Sequence, residues 1–98
     1  MKYAVRFRAE VPSDLASAAN WYDNQQQGLG DEFLNEYCLA LDSLVNSPLI
    51  HAADSTGMRF RRLKRFPYRI CYRVSEDEIV VAAIFHARRD PERLLDRG

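Results

Sequence analysis

Charge divides this chain into two blocks. Between Arg8 and Arg59 there is no lysine or arginine but eight acids, whereas Arg59 to Arg73 places seven basic residues in fifteen positions without one acid. The formal net charge of zero hides this division. A fold that keeps the blocks apart builds an acidic layer and a basic layer, and the basic layer attracts polyanions or acidic protein segments.

The periodicity of the two blocks differs. Tyr3, Val5 and Phe7 alternate with Lys2, Arg6 and Arg8, which predicts a first strand with one buried face. Pro12 and Ser13 are expected to stop it, with Ser13 as the N-cap of a helix running to about Gln27 and Asp14 at the positive end of its dipole. Leu15, Ala18, Ala19 and Tyr22 fall on one face of that helix, with Trp21 beside them. Gly28 and Gly30 permit a left-handed turn. A second helix follows, its apolar stripe made by Phe33, Leu34, Tyr37, Leu41, Leu44 and Val45, and Pro48 lies just past its end.

Residues 49–57 read as a loop. Three strands then follow, FRRLK, PYRICYRV and EIVVAAIFHAR, separated by breaks so short that an antiparallel meander is implied. In the second of them Tyr68, Ile70, Tyr72 and Val74 point one way, toward the helices. Arg69, Cys71 and Arg73 point the other, which predicts a positively charged outer face. The third strand is apolar on both faces and is expected at the centre of the sheet, with the first strand closing alongside the meander. Asp90 followed by Pro91 predicts a short terminal helix carrying Leu94 and Leu95.

The whole forms one α+β domain over 1–98, a length that buries roughly 60 to 65% of the unfolded surface. The N-terminal segment lacks the continuous apolar stretch of a secretory signal, which predicts a cytoplasmic protein. The longest apolar run, Ile79 to Phe85, is seven residues, far short of the roughly 20 that cross a bilayer as a helix. Cys38 and Cys71 each sit in an apolar pattern and are expected to be buried free thiols.

Catalytic patterns are sparse. Neither His51 nor His86 lies in a sequence context that places it beside a serine or cysteine nucleophile. His51 with Asp54 is a thin hint of a metal site, Gly28-Leu29-Gly30 follows a helix and lacks the lysine of a phosphate loop, and no metal or cofactor is expected. What remains is the basic sheet and the strand end His86-Ala87-Arg88-Arg89. Arginines fixed on strands hold phosphates, stabilise developing negative charge or clamp carboxylates. Two readings stay open: a binding face, or a structural network in which these arginines pair with the acids of the helices and with Glu76, Asp77 and Asp90.

The segments NWYDNQQQGLGDEF, FRRLKRFPYRICYRV and IVVAAIFHARRDPERLLDR, in this order, resemble the ParE branch of the RelE/ParE toxin family of bacterial type II toxin-antitoxin modules. The resemblance implies a helical hairpin on an antiparallel sheet of four strands, closed by a short C-terminal helix. It also implies a cognate antitoxin, an acidic and partly disordered partner that folds as it binds. In activity the family divides: ParE-type toxins inhibit DNA gyrase, and RelE-type toxins cleave mRNA on the ribosome.

By that resemblance Arg62, Arg69 and Arg89 occupy positions of the ribonuclease branch's basic residues. A strand lysine of that branch falls near Phe60 and its C-terminal tyrosine near Leu95, so two proton-transfer or phosphate-holding groups are replaced by apolar side chains. The reading that follows is a non-enzymatic toxin that binds a target such as gyrase through Arg61, Arg62, Lys64, Arg69, Arg73, Arg88 and Arg89. One alternative is a ribonuclease using Arg62, Arg69, His86 and Arg89, with the imidazole as acid or base. Another is an antitoxin-binding module with weak or lost toxicity.

Overall fold

The computed structural model describes residues 3–87. Strand β1 (Ala4–Phe7) leads into helices α1 (Val11–Gln25) and α2 (Leu29–Asn46), and strands β2 (Arg59–Arg62), β3 (Tyr68–Val74) and β4 (Glu78–His86) complete one sheet. Its order is β1-β4-β3-β2, so β4 is internal and β2 is an edge. The meander β2-β3-β4 is antiparallel, as the short connections require. The implied fully antiparallel sheet is corrected at one seam, since β1 runs parallel to β4. A connection through two helices gives the chain the length to re-enter the sheet in its original direction.

Helix α1 begins earlier than expected. Pro12 lies in its first turn and Ser13 is inside it, while Glu10 takes the N-cap position without a side-chain cap. Proline is tolerated there because its missing N–H belongs to a group with no intrahelical partner. The two glycines of the hairpin do different work. Gly28 has φ +87°, the left-handed turn between the helices. Gly30 is helical, and a Cβ at that position would stand 2.4 Å from the Ala19 carbonyl oxygen. It is glycine because α1 and α2 meet there, and its amide donates to Asp23 Oδ1 at 2.8 Å.

The core lies between the hairpin and the sheet. Tyr22, Phe33, Phe66 and Tyr68 pack ring against ring, with centroids 4.8 Å apart for Tyr22 and Phe66 and 5.1 Å for Phe33 and Tyr68. Val11, Leu44, Ile70, Tyr72, Ile79 and Val81 extend this layer, all buried. Tyr72 donates its hydroxyl to the Pro48 carbonyl at 2.9 Å, which fastens the end of α2 to the sheet. Burial pushes this phenol's pKa upward. Trp21 is half-exposed and meets Tyr22 edge-on rather than joining the core. Cys38, expected to be buried, is exposed, because it lies one helical step off the stripe that Tyr37 occupies, whereas Cys71 is buried.

The outer face of the sheet is not simply basic. Met58, Cys71, Ala82, Ala83 and Phe85 form a second buried cluster with Phe60 packed against it. Its cause is a bulge: Cys71 pairs with Ala83 but Tyr72 pairs with Val81, which leaves Ala82 as the extra residue. The bulge inverts the alternation of β4, so Phe85 turns outward and His86 arrives beside Tyr68, the rings 5.3 Å apart. The terminal helix expected after Asp90, together with Arg88 and Arg89, lies outside the described residues.

Candidate functional site

Antiparallel pairing places Arg62 of β2 directly opposite Arg69 of β3. Like charges facing one another across strands are destabilising, and among the described residues no carboxylate forms an ion pair with either. Arg69 crosses above the Phe60 ring with its guanidinium carbon 6.0 Å from the centroid, and Phe60 in turn meets Phe85 at 6.4 Å. The Nε of Arg69 is buried without a hydrogen-bond partner. A guanidinium N–H withdrawn from water in this way is a costly group. Its natural complement is an oxyanion.

These arginines border an open cleft of about 310 Å³, lined by Arg62, Phe66, Pro67, Tyr68, Arg69, His86 and Ala87. Three of the four residues of the ribonuclease alternative, Arg62, Arg69 and His86, thus come together. The strand register does this, since Tyr68 pairs with His86 and Arg69 with Phe85. The fourth, Arg89, is outside the described residues.

The expected continuous basic surface is divided. Arg61 pairs with Ile70 on the helix side of the sheet, and with Lys64 it lines a groove between α2 and β2. Arg62 borders both that groove and the cleft it shares with Arg69 and His86. Arg73 is committed to the loop before β2, where its Nη1 donates to the Thr56 carbonyl. Arg59 holds the same loop through the His51 carbonyl. Arg65 realises the structural-network reading, with Nη2 2.8 Å from Glu32 Oε1 and Nε 3.2 Å from Glu36 Oε1. One charge block therefore supplies loop ties, a helix clasp and two distinct recesses.

The hint of a metal site at His51 and Asp54 dissolves into turn geometry. The Asp54 carboxylate accepts from the Thr56 hydroxyl at 2.6 Å and from the amides of Thr56 and Met58 at 2.8 and 3.0 Å. These bonds, the Thr56 hydroxyl first among them, hold its pKa below the ordinary value. Among the described residues no group of three or more histidine, cysteine or acidic side chains could hold a metal ion. No helix among them is long and apolar enough to cross a membrane.

Phe66, Pro67 and Tyr68 line the cleft although none was expected as a site residue, Tyr68 having been read only as facing the helices. Their position in the break between two arginine-bearing strands was the available signal. Phe60 was recognised only as a missing lysine, and it is the platform on which Arg69 rests.

The sequence profile described as "ParE toxin of type II toxin-antitoxin system, parDE" matches residues 5–91. The chain belongs to this ParE toxin family. A solved structure titled "Chromosomal ParDE TA system from P. aeruginosa" is similar in fold, with a TM-score of 0.78 at 16% identity, covering 89% of this chain and 98% of that one. Comparison with curated proteins gives no match. As a ParE-family member the chain is a toxin of the type II toxin-antitoxin class, and in this ParE fold the arginine cleft sits where β2 and β4 end and β3 begins.

Proposed function

We propose that the chain, as one domain over 1–98, is a toxin that arrests bacterial growth by binding a protein target, DNA gyrase being the first to test, and that a cognate antitoxin neutralises it. The observation that carries this reading is the Phe60 platform. Where phosphodiester cleavage would use a proton-transferring or phosphate-holding cation, the sheet has an aromatic ring packed between Arg69 and Phe85. Arginine is protonated at every physiological pH and does not act as a general base. An apolar platform bordered by fixed guanidiniums suits a protein surface carrying carboxylates. Arg62 and Arg69 are the described contacts, and Arg88 and Arg89, expected to act with them, lie outside the described residues.

The test is expression of the chain alone in a bacterial host, with and without the small gene beside its own, followed by a supercoiling assay on purified gyrase. Growth arrest relieved by the neighbour, with supercoiling inhibited by the wild type and not by Arg62→Glu, is the expected result. Cleavage of ribosome-bound message with supercoiling untouched overturns it.

A ribonuclease reading is favoured by one observation, the assembly of Arg62, Arg69 and His86 around a single cleft. There the imidazole would move the proton of the ribose 2′-hydroxyl and the two guanidiniums would hold the phosphoryl oxygens. Loss of cleavage in a folded His86→Ala variant supports it. Wild-type inactivity on translating ribosomes ends it.

A further inference from the structure

Strand β1 forms the sheet edge opposite β2. The amides of Ala4 and Arg8 donate toward β4, to the Asp77 and Val81 carbonyls at 2.9 and 3.0 Å. Backbone groups alternate in a parallel ladder, so those of Val5 and Phe7 point away from β4, to the side where the sheet ends. Phe7 is also 46% exposed there. An open edge of this kind is a template for one more strand.

The helix above β4 extends this apolar margin. α1 packs on β4, its Ala19 carbonyl meets α2 at Gly30, and Ala18 and Tyr22 are buried in the core. At 3.6 residues per turn, Trp21 then falls on the flank of α1 turned away from α2, the flank on which β1 lies. It too is 46% exposed. Charge on this side is balanced, unlike that of β2. The one charged residue of β1, Arg6, has its Nε 3.2 Å from Glu78 Oε2, and α1 carries no lysine or arginine.

We propose that two copies of this chain join through β1, antiparallel about a two-fold axis at Arg6, to make one continuous sheet of eight strands. With that centre Val5 stands opposite Phe7 of the second copy, and the pair exchanges N–H and C=O bonds on both sides of the axis. A centre at Ala4 or Arg8 would carry Phe7 or Val5 past the end of the opposite strand. Arg6 stands opposite itself, a repulsive arrangement that Glu78 of each copy offsets. The two α1 helices, each over its own β4, are set about 14 Å apart by three strand spacings, wider than the roughly 8–10 Å of packed helices. Phe7 and Trp21 of both copies fill that gap. The β2 edge does not suit a second copy, because Arg61 and Arg62, which form no ion pair with a described carboxylate, would meet the same residues. Pairing through β1 leaves both arginine clefts open, since they are lined from β2, β3 and the end of β4. One dimer therefore presents two clefts to a target, and the inference stands whether or not that target is gyrase.

The experiment is sedimentation equilibrium of the whole chain from about 1 to 500 µM, a range suited to an interface near the roughly 1,200 Å² lower bound of specific ones. The mass should rise toward that of two chains, with a blue shift in the emission of Trp21, the chain's one tryptophan. Phe7→Glu should weaken association more than about tenfold at an unchanged urea midpoint. Glu78→Gln should weaken it about fivefold by exposing Arg6 to its own copy, and adding Arg6→Gln should restore it. Cross-linking fixes the register and does not depend on the folding of the Phe7 variant. In a Cys38→Ser background, which removes the exposed native thiol, Arg6→Cys should oxidise to a disulfide-linked dimer. The Cα atoms of a pair of this type lie about 4.5 Å apart, within disulfide reach. Ala4→Cys, opposite Arg8 instead of itself, should not. A chain still monomeric at 500 µM, a folded Phe7→Glu variant that associates as wild type, equal cross-linking through Ala4→Cys, or a dimer abolished by Arg62→Glu each overturns the proposal. Protection of the Val5 and Phe7 amides only by an added valine-rich peptide would give the edge to a different strand and overturn it as well.

Discussion

The two faces of the sheet share the same strands and differ in almost everything else. Toward the helices, Tyr68, Ile70 and Tyr72 join Tyr22, Phe33 and Phe66 in a buried aromatic and aliphatic layer, where the Tyr72 hydroxyl has the Pro48 carbonyl to bond. On the outer side a small cluster around Cys71 and Phe85 lies beside Arg62 and Arg69, opposed in register, one of them with a buried unpartnered Nε. The inner face has its polar groups satisfied and the outer face does not. A ParE-family chain of this size keeps stability on one side of β3 and holds unspent electrostatic potential on the other, a separation that single substitutions can break.

The largest effect is expected at Phe33, which is fully buried and touches Tyr22, Phe66 and Tyr68. Phe33→Ala should lower unfolding free energy by about 3–5 kcal/mol in urea denaturation, a large part of what a small domain has. Next is Gly30→Ala, whose added methyl collides with the Ala19 carbonyl. Overpacking at a backbone contact costs about 1–3 kcal/mol, reduced by the better helix propensity of alanine. If either variant abolished growth arrest at full stability, the separation of the two faces would be wrong.

The converse test is Arg69→Met. It keeps an unbranched stem over Phe60 and removes a buried donor that has no partner. A gain of about 1 kcal/mol in stability is expected, together with loss of growth arrest, measured by denaturation and by expression in the same host. Stability bought at the expense of activity is what a group retained for function predicts. A destabilised Arg69→Met would mean that the guanidinium belongs to the framework, and the outer face would lose its distinction from the inner one.

Most of the inner face was legible and much of the outer face was not. Strict alternation in Tyr68-Arg69-Ile70-Cys71-Tyr72 gives the facing of β3, and the stripe from Phe33 to Val45 gives the buried side of α2, because period and burial have the same cause there. In IVVAAIF every residue is apolar, so nothing in the run marks Ala82 as the bulge that turns Phe85 outward and His86 inward. Gly30 reads as a turn glycine until the Ala19 carbonyl is known to be its neighbour. The sorting of the basic block was hidden for a different reason. Arg65 meets Glu32 and Glu36 across 33 and 29 residues of chain, and whether an arginine is clasped or left uncompensated depends on such distant partners, which composition does not specify.

The smallest expected effect lies in the loop that leads into the outer face and carries Met58 to its buried place. Asp54 organises the turn by accepting from Thr56 and Met58, and its pKa is lowered chiefly by the Thr56 hydroxyl and amide. A carboxylate whose folded pKa lies below its unfolded value adds stability above the unfolded value, near 3.8. That stability is lost as pH falls through the folded pKa, since the unfolded chain takes up the proton first. Urea midpoints should therefore change little from pH 7 to 5 through this group and fall more steeply below about pH 4. Asp54→Asn retains an acceptor oxygen for the amides but carries no charge and does not titrate, so it should lower the neutral midpoint slightly, toward the acid value of the wild type, and flatten the acid limb. Arg73 reaches the same turn through the Thr56 carbonyl. An Asp54→Asn variant with an unaltered acid limb would show that the arginine ties alone hold the loop against the sheet.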